Sequence, residues 1–401
     1  MKLISNCILA ISVALLVSCC TDDPKIEIEN PATYSFERNG ESTVSFRGQT
    51  TRIAMAAELS STLVDFDASE ATLLEMYNNA AADGGDANPF ITAELNESTK
   101  SVSSKVGASK DFFETNSVES SQIKAQFSDW IKAQVSEVYP NQNEVAQAGT
   151  AGQLNDAGTV RYVNGKGLEY NQAVSKGLIG ALMVDQMLNN YLSTAVLDAA
   201  DNIETNTAGT PAENQPYTNM EHKWDEAYGY LFGAAADAAD PIADLGNDDF
   251  LNKYLSRVEG DSDFAGIADK IYQALKLGRA AIVAADYATR DKQIDIIKEE
   301  VSAIIAIRAV YYLQQGKNAL ANNQIGTAFH DLSEGYGFIY SLRFTRMPGS
   351  DEPYFNKSEV DSFIAQLDAG NGFWDLSAQT LDQVSADIAA KFDFTVAEAG
   401  E

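Results

Sequence analysis

Histidine is almost absent: His222 and His330 are the only two in 401 residues. A three-histidine metal site is therefore excluded, and so is the H-E-x-x-H pattern of zinc proteases. Cysteine is nearly as scarce, at Cys7, Cys19 and Cys20. All three lie at the N-terminus, so the body carries no disulfide, no cysteine-ligated zinc and no thiol nucleophile, and packing alone must stabilise it. Positive charge is also short. Against 58 Asp and Glu stand 28 Lys and Arg, a net charge of −30. So acidic a surface repels phosphate backbones, which argues against nucleic acid as a partner. No G-x-S-x-G elbow is present, which counts against a Ser-His-Asp hydrolase.

The apolar run Ile8 to Val17 is too short for a bilayer-spanning helix of about 20 residues. Lys2 precedes it, and Leu16-Val17-Ser18-Cys19 ends it. This sequence resembles the lipobox of bacterial lipoproteins. The resemblance implies a signal peptide over 1–18, lipidation of Cys19 and a lipid-anchored tether over 19–32, Pro-containing and polar. Each buried CH₂ of an acyl chain contributes about 0.8 kcal/mol, so several chains anchor stably. Thr21-Asp22-Asp23 is similar to the short acidic export signals of surface lipoproteins in Gram-negative bacteria. The expected address is the outer membrane or the cell surface.

Beyond the tether, alternation in Tyr34-Ser35-Phe36 and Val44-Ser45-Phe46 around Asn39-Gly40 predicts a small β-hairpin within 33–50, lying as a lid on the body. The rest of 33–401 reads as all-α. Helical spacing is expected from about Leu59 to Tyr77, 123–135, 168–200, 222–239, 264–287, 294–320, 325–342, 363–367 and 376–392. Residues 82–110, rich in Ser and Lys, read as a long loop, and 149–167 as a Gly-rich connector. A length of 401 residues exceeds the roughly 250–300 that one core supports. Two halves are expected, approximately 51–240 and 241–401.

Both histidines sit in one repeated frame. His222-Lys223-Trp224-Asp225-Glu226-Ala227-Tyr228-Gly229-Tyr230-Leu231-Phe232 aligns with His330-Asp331-Leu332-Ser333-Glu334-Gly335-Tyr336-Gly337-Phe338-Ile339-Tyr340. The copies start 330 − 222 = 108 residues apart. His and Glu at i and i+4 share a helix face, and Gly229 and Gly233, or Gly337 and Ser341, continue it. Small residues there let helix backbones approach closely. The expectation is an internal duplication whose motif helices face each other or one shared cleft. Three readings stay open. In the first, each histidine is a packing element bonded to a neighbouring carboxylate or carbonyl. In the second, His222, Glu226, His330 and Glu334 hold a metal ion, for which two imidazoles and carboxylates suit iron or zinc. In the third, the motif floors a cleft for a small ligand or peptide. Asp225 adds a carboxylate in the first copy only.

Asp185 and Arg308 fall inside apolar stripes, and buried charges are normally paired. They form a candidate ion pair, and Glu169 and Gln172 could join the same polar interior. Arg343 and Arg346 could hold an anionic group or lie at the surface.

The hairpin with Gly48-Gln49-Thr50, the segments Arg161-Tyr162-Val163 and Gly167-Leu168-Glu169-Tyr170-Asn171-Gln172, and the two histidine motifs together resemble the DUF4856 family of bacterial lipoproteins over nearly the whole mature chain. That family is similar to the imelysin-like proteins: all-helical double bundles related by duplication, with a G-x-H-x-x-E motif, linked to iron uptake and once classed as metallopeptidases. The resemblance implies that His222 and Asp225 stand at the H-x-x-E positions. Asp in place of Glu, Glu226 one residue later and Glu221 in front depart from that motif and count against metal binding and peptidase activity. The expected function is a non-enzymatic surface lipoprotein binding a metal, haem or another ligand, with an outer-membrane uptake partner. The alternatives are a metal-dependent peptidase or hydrolase, with Glu226 as general base, and a structural envelope protein.

Overall fold

The computed structural model describes residues 28–81 and 84–401. The expected signal segment, Cys19 and most of the expected tether lie outside them. The described chain is all-α, with two small antiparallel hairpins, β1–β2 (Glu37–Arg38 with Glu41–Ser42) and β3–β4 (Gly152–Asp156 with Thr159–Val163).

The N-terminal hairpin turns where expected, with Asn39 and Gly40 both at positive φ (55° and 81°), as a type I′ turn requires. Its ladder is shorter than the alternation suggests. The flanking Tyr34 and Ser45 are instead drawn onto the helical body by Asp225, described below. The second hairpin corrects the expectation of a connector over 149–167. It turns at Ala157 and Gly158, φ 48° and 96°, and alanine in a left-handed conformation is not a recognisable turn signal.

The segment expected as one helix over 168–200 is the buried centre of the molecule. It starts as Tyr170–Leu178 and continues through two stretches of wider, π-type turns, Ile179–Val184 and Met187–Tyr191, before breaking at Leu192. Every residue from Ala173 to Asn189 is buried, and its polar members Lys176, Asp185 and Asn189 are met by internal partners. The first motif helix, Asn219–Phe232, starts with a capping box. Thr218 accepts from the Glu221 amide, and Glu221 accepts in return from the Thr218 amide at 2.6 Å. It ends at Gly233, short of the expected Ala239. The second motif helix is Ile325–Ser341. The helix before it, Tyr287–Ala321, is 35 residues long and capped by Asp286. A helix at Leu251–Glu259 was not anticipated.

The duplicated small residues do let backbones close in, but against different partners. A Cβ at Gly229 would lie 2.4 Å from the Cβ of Phe46, and one at Gly233 2.9 Å from Thr50 Cγ2, both at the start of helix Arg47–Thr62. In the second copy, a Cβ at Gly337 would lie 2.5 Å from the Cβ of Lys176 on the central helix. Four residues on, Ser341 donates to the Lys176 carbonyl (2.9 Å) and accepts from the Gly180 amide (3.1 Å). Phe46 and Thr50 thus stand to the first motif as Lys176 and Gly180 stand to the second. The buried apolar side chains form one continuous cluster from Tyr34 to Ala399, and packing crosses the boundary near residue 240.

Candidate functional site

The two histidines do not meet around a common centre. Each has its own set of partners, and none is shared.

His330 is clasped between carboxylates. Its Nδ1 lies 2.9 Å from Glu169 Oε1 and its Nε2 3.6 Å from Glu334 Oε1. Burial pulls the ring's pKa down, but the Glu169 hydrogen bond and the two carboxylate charges outweigh it and hold His330 above its ordinary value. Glu334 also meets Lys176 Nζ at 3.4 Å and accepts from the Tyr254 hydroxyl at 3.1 Å. Burial would raise Glu334, but Lys176 and His330 keep it below the usual range. Ser333 donates to the Phe329 carbonyl and accepts from the Glu169 amide, fixing the start of the central helix against this motif. Gln172 is half-buried, and its Oε1 finds no hydrogen-bond partner among the described residues.

His222 has a different setting. Its ring stacks on Tyr217, centroids 4.6 Å apart and planes 11° from parallel. Its Nε2 is 3.9 Å from Glu226 Oε2. Burial outweighs the Glu226 charge and leaves His222 below its ordinary pKa. Glu226 is held by Lys223 (2.7 Å) and by the Gln49 amide (3.1 Å).

Asp225 points elsewhere and is fully buried. It accepts from the Tyr34 hydroxyl (2.6 Å), the Ser45 amide (3.1 Å) and Arg279 Nε (3.0 Å). Arg279, also fully buried, reaches Glu221 at 3.2 Å and Thr43 Oγ1 at 3.0 Å. Arg38 then grips Glu221 with two bonds of 2.9 Å. This network pins the hairpin to the first motif helix. It also removes Asp225 from the metal role that the H-x-x-E likeness implies, because its oxygens are spent on three internal donors. Among the described residues, no group of three or more His, Cys, Asp or Glu is placed to hold a metal ion. The carboxylates at His330 lie on opposite ring nitrogens, which is a clasp rather than a chelate. The residues present do not fit iron or zinc at either motif.

The expected Asp185–Arg308 pair does not form. Asp185 caps a loop, accepting from the Ala108 and Ser109 amides (3.0 and 2.9 Å) and from Asn189. Burial pushes its carboxyl up to about 6. Arg308 lies over the rings of Tyr311 and Tyr312, 3.9 and 4.6 Å from their centroids. The apolar stripes identified two buried charges but not their partners. Arg343 and Arg346 are engaged internally, by Glu119 and by Asp111 (3.0 Å) with Asp351 (2.7 Å).

Both histidines are partly exposed, the His222 side chain at 28% and the His330 side chain at 19%, but the surroundings differ. Beside His222 lies a cleft of about 690 Å³, walled by helix Arg47–Thr62, the segment 94–105, Tyr191 and the face of His222 and Glu226. The matching volume at the second motif is filled by Lys176, Tyr254 and Tyr312 around Glu334, with His330 at its edge. Sequence reasoning missed the cations of this cleft, Arg52, Lys105 and Lys223. The one available hint was the lysine content of the 82–110 segment.

Nothing among curated proteins, and nothing among solved structures, matches the chain. The family model described as Domain of unknown function (DUF4856) matches residues 31–395. The matched span takes in the hairpin, both motif helices and the cleft, and the chain belongs to this family.

Proposed function

We propose that this protein is a non-enzymatic binding lipoprotein, held through lipid on Cys19 at the outer membrane or cell surface, which delivers a small ligand to an outer-membrane uptake partner. The ligand site is the cleft beside His222. One observation carries the reading: of two copies of the same histidine-glutamate unit, the glutamate of one is enclosed by Lys176, Tyr254 and Tyr312, while the other lines a cleft at a volume within the usual range of ligand pockets. A duplicated fold that keeps one copy beside an open cleft separates a binding task from a packing task. The likeness to imelysin-like proteins belongs to the same proposal, with metal or haem as candidate cargo. The side chains favour another small molecule over a bare metal ion.

The location is tested by Cys19→Ala. The variant should leave the membrane fraction and lose incorporation of labelled palmitate; a variant still labelled and sedimenting with membranes would sink the anchor. The cleft is tested by thermal shift with a mixed panel of ferric iron, haem, neutral sugars, polyamines, phosphate and citrate. At least one component should stabilise the wild type by several degrees and fail to stabilise Thr51→Trp, whose side chain would occupy the cleft. A panel acting equally on both proteins, or on neither, removes the cleft from consideration.

A further inference from the structure

The cleft is unusual for this protein in its charge. Five of its lining residues are Lys or Arg and three are Glu, in a chain where acids outnumber bases two to one. Two of those glutamates, Glu94 and Glu97, are exposed on the rim. The third, Glu226, already pairs with Lys223.

The cations converge. The ammonium groups of Lys105 and Lys223 both lie 5.6 Å from the centroid of the Tyr191 ring. Arg52 is 6% exposed, and its guanidinium bonds to two backbone carbonyls, Ser101 and Gly48, which are neutral partners. Lys105 is half-buried; among the described residues its ammonium forms no salt bridge, and the Glu226 carboxylate acts on it only from a distance. Burial lowers its pKa, and the charges of Arg52, Lys223 and Lys100 lower it further, outweighing the opposing pull of Glu226. Like charges gathered in a partly desolvated site oppose folding unless an anion joins them. Tyr217, stacked on His222, adds an aromatic wall at the other side.

We infer that the cleft binds a small organic oxyanion, a ligand carrying phosphate or several carboxylates, with Arg52, Lys105 and Lys223 as its charge-bearing contacts. This rests on the binding-cleft reading and names its ligand class. Guanidinium and ammonium donors make short, charge-assisted bonds to such oxygens. The acidic remainder of the surface repels anions, so the cleft is where a captured oxyanion is held.

The test is calorimetric titration of the full chain in detergent with inorganic phosphate, citrate, glucose and spermine. Phosphate or citrate should bind saturably at one site, and 0.5 M NaCl should weaken that binding. Lys105→Gln should weaken it at least tenfold, while Lys253→Gln, in a different groove, leaves it unchanged. Lys105→Gln removes a desolvated charge, so it should fold as well as the wild type, which unfolding midpoints check. Phosphate alone would identify a phosphate-bearing ligand, and citrate alone a polycarboxylate. Absence of saturable binding of either anion, or equal affinity in Lys105→Gln, overturns the inference. If glucose, spermine or bare iron is instead bound and excluded by Thr51→Trp, while neither phosphate nor citrate binds, the cleft is a binding site but not one for anions.

Discussion

Asp225→Ala should cost this fold about 3–5 kcal/mol, the usual effect of removing one partner of a buried ion pair. The variant leaves the Arg279 guanidinium, fully buried, with Glu221 as its one remaining carboxylate. It also strips the acceptor from the Tyr34 hydroxyl and the Ser45 amide, the two flanks of the hairpin. Urea unfolding gives the magnitude. Hydrogen exchange supplies the location: amides between residues 34 and 46 should lose protection before those of the central helix. Ser333→Ala, at the matching position of the second motif, exchanges only neutral hydrogen bonds and should cost about 1 kcal/mol. If Asp225 served a metal instead, its removal would release metal, and the loss of stability would largely vanish when wild type and variant are compared after chelation.

Mild acid should stabilise this protein. Burial pushes the carboxyls of Asp185, Asp248 and Asp331 up to about 6, from an ordinary value of 3.8. Between pH 3.8 and about 6 the folded state keeps protons that the unfolded chain has released. The stability this confers is complete below the ordinary value and is lost as pH rises through 6. A shift of about two units corresponds to roughly 3 kcal/mol for a fully buried group such as Asp185. His330, held above its ordinary value, acts in the same direction, and partial neutralisation of the −30 net charge relieves self-repulsion. His222 opposes them, because its lowered pKa disfavours the folded state as it charges. Glu221, Glu226 and Glu334 sit below their ordinary value of 4.5, so their contribution is intact above it and is lost as pH falls from there through their lowered values. The expected curve has a maximum near pH 5, a few kcal/mol above its value at pH 7.5, and falls steeply by pH 3.5. Urea midpoints at those three pH values measure it. A midpoint that drops steadily from pH 7.5 to pH 5 would show that these aspartates ionise normally in the fold. Asp185→Asn should flatten part of the rise.

Periodicity along the chain was enough to read the all-helical class, the N-terminal turn at Asn39-Gly40 and the repeated histidine-glutamate face, because each depends on residues within a few positions of one another. The stripes around Asp185 and Arg308 revealed that both are buried for the same reason. Which groups meet was another matter. Asp185 answers loop amides at 108 and 109, and Asp225 answers a hairpin some 180 residues earlier. The cleft draws its cations from positions 52, 105 and 223, on three separate segments. No local pattern carries such pairings, since they follow from how helices stack and which small residues let them close. The two motif helices could have faced one another. Phe46 and Thr50 closing on one, and Lys176 and Gly180 on the other, set them against different neighbours and left the first beside an open cleft.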